Sequence, residues 1–205
     1  MKPGFDKLPI SGIVPFTTID YPEHTAAVLF TQGCRWHCPY CHNPQLRPLR
    51  EGSIDWWEVE HFLAKRQGWL QAVVISGGEP TIHESLPACF EKIRNMGFKT
   101  GLHTAGFEPD GLAGSLPFLD WVGMDIKAPM DSRYDNVTGA QGSCEVVAIS
   151  LGLLRKWGKP FQLRFTHDSS LHQPNDILEI NDWLAIRSYP IAIVQQARQS
   201  TSTLI

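Results

Sequence analysis

The chain has 205 residues, 42% hydrophobic, 10% aromatic and 19% charged, with a net charge of −3. That length and balance fit one globular domain and exclude a disordered or collagen-like chain. No basic excess points to a nucleic-acid partner, and no acidic tail points to a solvated arm. The first residues lack a basic region followed by a long apolar stretch, so no secretory leader is expected. The apolar runs are too short to cross a bilayer, and a soluble cytoplasmic protein with no membrane partner is the expectation. In that compartment the five cysteines should be thiols or metal ligands.

In chain order, short apolar or β-branched runs at 25–31, 71–76, 99–104, 120–126, 161–166 and 190–194 read as buried strands. The stretch before Thr25, with Ile10, Ile13, Val14 and Phe16, offers an edge strand. Helical patterns fall between the runs. Residues 55–67 open on a plausible Asp55 cap and stop at Gly68, 84–96 stop at Gly97, and 143–157 stop at Gly158. Residues 175–187 end before Pro190, and 108–117 form a short helix or turn. This alternation predicts an α/β fold, a parallel six-stranded sheet, open or curled into a (β/α)6 partial barrel, in a single domain over 1–196. A flexible C-terminal tail is expected over 197–205. Right-handed crossovers place the C-terminal ends of the strands along one rim, where ligands bind in such folds.

The sharpest motif is Cys34-x3-Cys38-x2-Cys41, in a connection from 32 to 53 that shows no element of its own. A loop of that length is usually functional. Three thiolates this close can hold an iron–sulfur centre with one iron left open to a ligand. They can also hold zinc together with His37 or His42. Polar groups recur at the other strand ends. Gly77-Gly78-Glu79 follows the second run, and the glycines would admit backbone close to a ligand. His103 sits in the third. Asp125 and Lys127, two apart, share a face of the fourth. Arg164 in the fifth is a fork for a carboxylate. Gln195 and Gln196 end the sixth. The remaining cysteines, Cys89 and Cys144, read as small buried hydrophobes, and His24, His61, His83 and His172 as surface or satisfied positions. Trp56, Trp57, Trp69, Trp121 and Trp183 read as packing residues, whereas Trp36 could shield a bound group or meet a partner.

Through Cys34-x3-Cys38-x2-Cys41 and Gly77-Gly78-Glu79 the sequence resembles the radical S-adenosylmethionine enzymes. The words from Gly12 to Pro22, Phe30 to Cys34 and Cys38 to Pro44 narrow this to the anaerobic ribonucleoside-triphosphate reductase activating proteins, similar also to pyruvate formate-lyase activating enzymes. The resemblance implies a 4Fe-4S cluster on Cys34, Cys38 and Cys41. Its open iron would take S-adenosyl-L-methionine, and flavodoxin or ferredoxin would donate the electron. Cleavage would then give a 5′-deoxyadenosyl radical that makes a glycyl radical on the partner enzyme, an anaerobic ribonucleotide reductase. It also implies cofactor contacts from Tyr40, Gly77, Gly78, Glu79, Asp125, Lys127 and, less directly, Arg164. No side chain is expected to be catalytic beyond the cluster-bound cofactor itself. Related activases often carry an aspartate where this chain has His103, which leaves open what charge stands there. The alternatives are activation of another glycyl radical enzyme, a small-molecule radical enzyme such as a deazapurine-forming synthase, and a zinc-stabilised binding module.

Overall fold

A computed structural model describes residues 8–197. Seven strands form one sheet in the order of the chain: β1 (Ile10–Thr17), β2 (Ala26–Thr31), β3 (Ala72–Gly77), β4 (Lys99–Thr104), β5 (Trp121–Ile126), β6 (Phe161–His167) and β7 (Ile193–Gln196). β1 runs antiparallel to β2, and every later pairing is parallel. The six-stranded parallel sheet is therefore corrected to a seven-stranded mixed one, open between β1 and β7. The short connection from β1 to β2 makes β1 antiparallel, because a parallel return needs a crossover of a dozen or more residues. β7 begins three residues later than the apolar run suggests: Pro190 has no N–H to give a ladder, and the Ala192 N–H donates instead to Asn181 Oδ1 at 2.8 Å. The tail expected over 197–205 lies outside the described residues except for Ala197, whose N–H donates to His167 O at 2.8 Å.

The helices are α1 (Trp56–Ala64), α2 (Leu86–Asn95), α3 (Pro109–Ser115), α4 (Arg133–Thr138), α5 (Ser143–Trp157) and α6 (Asp176–Ile186). α1 starts in a capping box between Asp55 and Glu58, which satisfies N–H groups that a helix start leaves free. α5 stops at Gly158, whose φ of 72° is the left-handed cap expected of glycine.

Strand residues alternate between two faces. Ala27, Leu29, Val73 and Ile75 join the main core with Leu63, Phe90 and Leu151. Ala26, Val28, Ala72 and Val74 face a smaller cluster with Tyr21 and Trp121. Such strands are apolar on both sides, so polar side chains collect at their C-terminal ends. Trp57 and Trp69, expected in the packing, are 64% and 80% exposed, whereas Trp56 and Trp121 are buried. Cys89 is buried as expected, and Cys144 is only half-buried.

Candidate cofactor site at the strand ends

The cysteine connection is ordered by its own backbone. The Gly33 N–H donates to Leu46 O at 2.7 Å and the Cys34 N–H to Arg47 O at 2.9 Å, which zips the loop's beginning to its return through a 3-10 turn at Pro44–Leu46. The Gln32 side-chain amide donates to Gln45 O and Pro48 O, and the His37 N–H reaches Thr138 O at the end of α4. His83 Nε2 donates to Gln32 O at 2.9 Å, so this histidine is indeed satisfied. Trp36 turns inward, 4% exposed, and stacks on Phe107 at 5.0 Å. It stands on the wall of the cavity, not on an outer surface.

A cavity of about 580 Å³ opens at the C-terminal ends of the parallel strands, within the range of cofactor sites. Cys34, Cys38 and Cys41 line it together with Tyr40, Gly77, Gly78, Asp125, Lys127 and Arg164. His103, Gln195 and Gln196 line it too, as do Asp20, Asn43 and Arg47, which sequence reasoning did not single out. No signal marked Arg47, because it reaches the wall only through the 3-10 turn that returns the cysteine loop.

The two glycines are required by close approach. A Cβ on Gly77, whose φ is 122°, would lie 2.2 Å from Thr31 N, and one on Gly78 would lie 2.1 Å from Gly33 O. What approaches them is the protein's own chain beside Cys34. Glu79 does not line the cavity. It is fully buried, and its Oε1 accepts from the Thr81 N–H (3.1 Å), Thr81 Oγ1 (2.7 Å) and Thr104 Oγ1 (2.6 Å). Its Oε2 accepts from the Ala105 N–H at 2.7 Å. Burial pushes its carboxyl up, against the pull of the Thr104, Thr81 and Ala105 donors. In this arrangement Glu79 pins the ends of β3 and β4 together beneath the cavity.

The cavity lining also carries a charge centre. The β5–β6 register pairs Asp125 with Arg164. Asp125 Oδ1 accepts from Arg164 Nε at 2.8 Å and Oδ2 from Lys127 Nζ at 3.1 Å. Burial pushes the Asp125 carboxyl up, but Arg164 and then Lys127 outweigh it and hold it well below the usual carboxylate range. Lys127, although burial opposes its charge, is raised by Asp125. His103 Nε2 lies 2.9 Å from Asp20 O and 3.2 Å from Arg164 Nη1. One ring nitrogen can donate to the first or accept from the second, not both. Burial, then Arg164, lowers His103 to about 3. The positive charge at this position is therefore Arg164, beside a neutral histidine.

Two observations bear on what the cavity holds. Tyr40 Oη is buried with no hydrogen-bond partner among the described residues, as a polar atom awaiting a ligand would be. Among the described residues no three His, Cys, Asp or Glu side chains converge closely enough for a single metal ion. The cysteines carry no disulfide. Burial, then Glu79, pushes the Cys34 thiol to about 12, and burial also raises Cys38. A bound metal would displace those protons, since thiolate is the ligand form.

The sequence profile of the Radical SAM superfamily matches residues 28–165, and the chain belongs to that superfamily. It is 34% identical over 131 residues to a candidate glycyl-radical enzyme activating enzyme of Methanocaldococcus jannaschii, covering 62% of this chain and 54% of that protein. It is 32% identical over 138 residues to a pyruvate formate-lyase-activating enzyme of Staphylococcus aureus, covering 60% and 54%. The chain thus spans about half the length of these relatives. Among solved structures, TYW1 with a lysine-pyruvate adduct superposes with a TM-score of 0.64 at 16% identity, over 87% of this chain and 66% of that one. QueE from Escherichia coli superposes at 0.52 and 16% identity, over 92% and 93%. At such identities the structures speak for the fold alone. No helix among the described residues is long and apolar enough to cross a membrane.

Proposed function

We propose that this chain is a radical S-adenosylmethionine activase that installs a radical on a glycyl radical enzyme. The observation that carries the proposal is the shared cavity, lined by Cys34, Cys38 and Cys41 together with Tyr40, Gly77, Gly78, Asp125, Lys127 and Arg164. The three cysteines would hold a 4Fe-4S cluster with one open iron. Cluster and S-adenosylmethionine, when bound, supply one-electron cleavage of the sulfonium and hydrogen abstraction from the partner. The protein's own part is binding, orientation and exclusion of water. Arg164, midway along β6, presents a cation to the cavity, suited to a carboxylate. Lys127, 6.0 Å over the Tyr40 ring, and Asp125 offer a donor and an acceptor for a nucleoside. Glu79 holds the floor under them and does not itself reach the ligand.

The partner is proposed as a class. The relatives are described as acting on glycyl-radical enzymes and pyruvate formate-lyase, which widens the ribonucleotide reductase expected from the sequence words. A flavodoxin or ferredoxin is proposed as electron donor. A second reading, an enzyme acting on a small molecule, draws support from a relative in Metallosphaera sedula, 27% identical over 155 residues, that is described as a GTP 3′,8-cyclase. The test is anaerobic purification with iron and sulfide counts, a 5′-deoxyadenosine assay, and electron spin resonance of candidate partners. A glycyl doublet on a partner supports activation. Cleavage that is stimulated by a purine precursor and leaves the partner silent favours the second reading. A colourless protein with one zinc overturns both.

A further inference from the structure

Lys127 is held at three points, each by a different side chain. Its N–H donates to Tyr134 Oη at 3.0 Å, its carbonyl accepts from His172 Nε2 at 2.9 Å, and its Nζ donates to Asp125. His172 is 4% exposed. The Asp168 N–H donates to its Nδ1 at 3.0 Å, so Nδ1 carries no proton and Nε2 carries one. Both ring nitrogens are thus committed, and the tautomer is set by the loop after β6. The ring lies edge-on to Tyr40 at 5.5 Å and to Phe165 at 4.8 Å. A single imidazole therefore touches the end of β5, the end of β6 and the cysteine loop.

We infer that His172 is a positioning residue of the cavity: its Nε2–H fixes the Lys127 carbonyl, and through it the aim of the ammonium, while its ring sets the plane of Tyr40. The inference rests on the function proposed above. A histidine that merely filled core space would be replaceable by any ring of its size. One that fixes Lys127 needs the N–H. Two substitutions separate these roles. His172→Phe keeps a ring and loses the donor. His172→Gln loses the ring and keeps an amide N–H at a similar reach.

In anaerobically reconstituted protein, His172→Phe should load iron as the parent does and raise the KM for S-adenosylmethionine about tenfold with kcat little changed, the scale seen when outer partners of a site are lost. His172→Gln should recover most of that loss. In the metal-free protein, nitrogen resonances should report the Nε2–H tautomer, and the Lys127 amide and Tyr40 ring signals should move in the Phe variant and return in the Gln variant. If the parent binds the cofactor and His172→Phe leaves KM and these signals unchanged, the inference is overturned alone. The same holds if His172→Gln is as impaired as His172→Phe. If the parent shows the expected tautomer and signals but binds no S-adenosylmethionine, the function falls and takes the inference with it.

Discussion

Replacing Asp125 by asparagine removes one charge and almost no volume. Its carboxylate stands between Arg164 and Lys127, with side chains 26%, 11% and 15% exposed respectively. The substitution leaves two cations facing each other where little water reaches. Removing one partner of a buried ion pair costs about 3–5 kcal/mol. The partial exposure of Asp125 and the length of Lys127, which can turn its ammonium outward, reduce this to about 2–3 kcal/mol. At about 2–4 °C per kcal/mol for a chain of this size, the thermal midpoint should fall by about 4–12 °C. The assay is thermal and urea unfolding of the metal-free protein at pH 7. Added salt should shrink the difference only slightly, because screening acts weakly on buried pairs. The folded carboxyl is held below its unfolded value, so this stabilisation is complete above the unfolded value. The difference between parent and variant should begin to narrow below about pH 4 and vanish only once the folded group takes its proton. A midpoint within 2 °C of the parent, about the effect of 1 kcal/mol, would refute the picture of a charge centre kept out of water.

Cys41→Ala should remove iron binding and colour while far-ultraviolet circular dichroism and the metal-free midpoint stay near those of the parent; a variant that unfolds would point to a structural metal instead. Glu79→Ala should strip partners from Thr81, Thr104 and Ala105 and cost at least about 3 kcal/mol in urea unfolding, at about 1–3 kcal/mol for each buried group left unpaired. Normal stability with weakened cofactor affinity would return Glu79 to the ligand's side. His103, lowered to about 3 by burial and Arg164, stays neutral where an unfolded histidine, at about 6.5, is protonated. The unfolded state then holds the extra proton, so stability should fall as pH drops from about 6.5 toward 3, by up to about 1.4 kcal/mol per pH unit from this residue. His103→Gln should flatten that slope in urea titrations between pH 6 and pH 4, and an unchanged slope would assign it to other groups.

Strands β2 to β6 were legible to within a residue or two, because runs such as Ala72-Val73-Val74-Ile75 have no other home than a sheet covered on both faces. Part of the cavity lining, His103, Asp125, Lys127 and Arg164, was legible for the complementary reason: polar side chains in buried strands need a purpose. What escaped the sequence depends on contacts between distant segments. α4 is too short for periodicity to show. It is fixed by Asp135, which accepts from the N–H groups of Gly142 and Ser143. Whether Glu79 faces the cavity or turns beneath it is decided by two threonines and an amide from the neighbouring strand. The junction of Asp125 with Arg164 depends on the β5–β6 register, which spacing along the chain does not reveal. His172 gave no sign in the sequence, because its ring bonds backbone groups of Asp168 and Lys127, which residue type does not announce.

Each strand of the sheet lies beside its predecessor in the chain. A sheet of that kind can grow by accretion, each new βα unit adding to the margin left by the last, although every parallel pairing must first close the crossover between its strands. The sulfur-bearing loop comes early in that order and the guanidinium of Arg164 late. Nascent chains would therefore present the thiols of Cys34, Cys38 and Cys41 before β5 and β6 are there to enclose them.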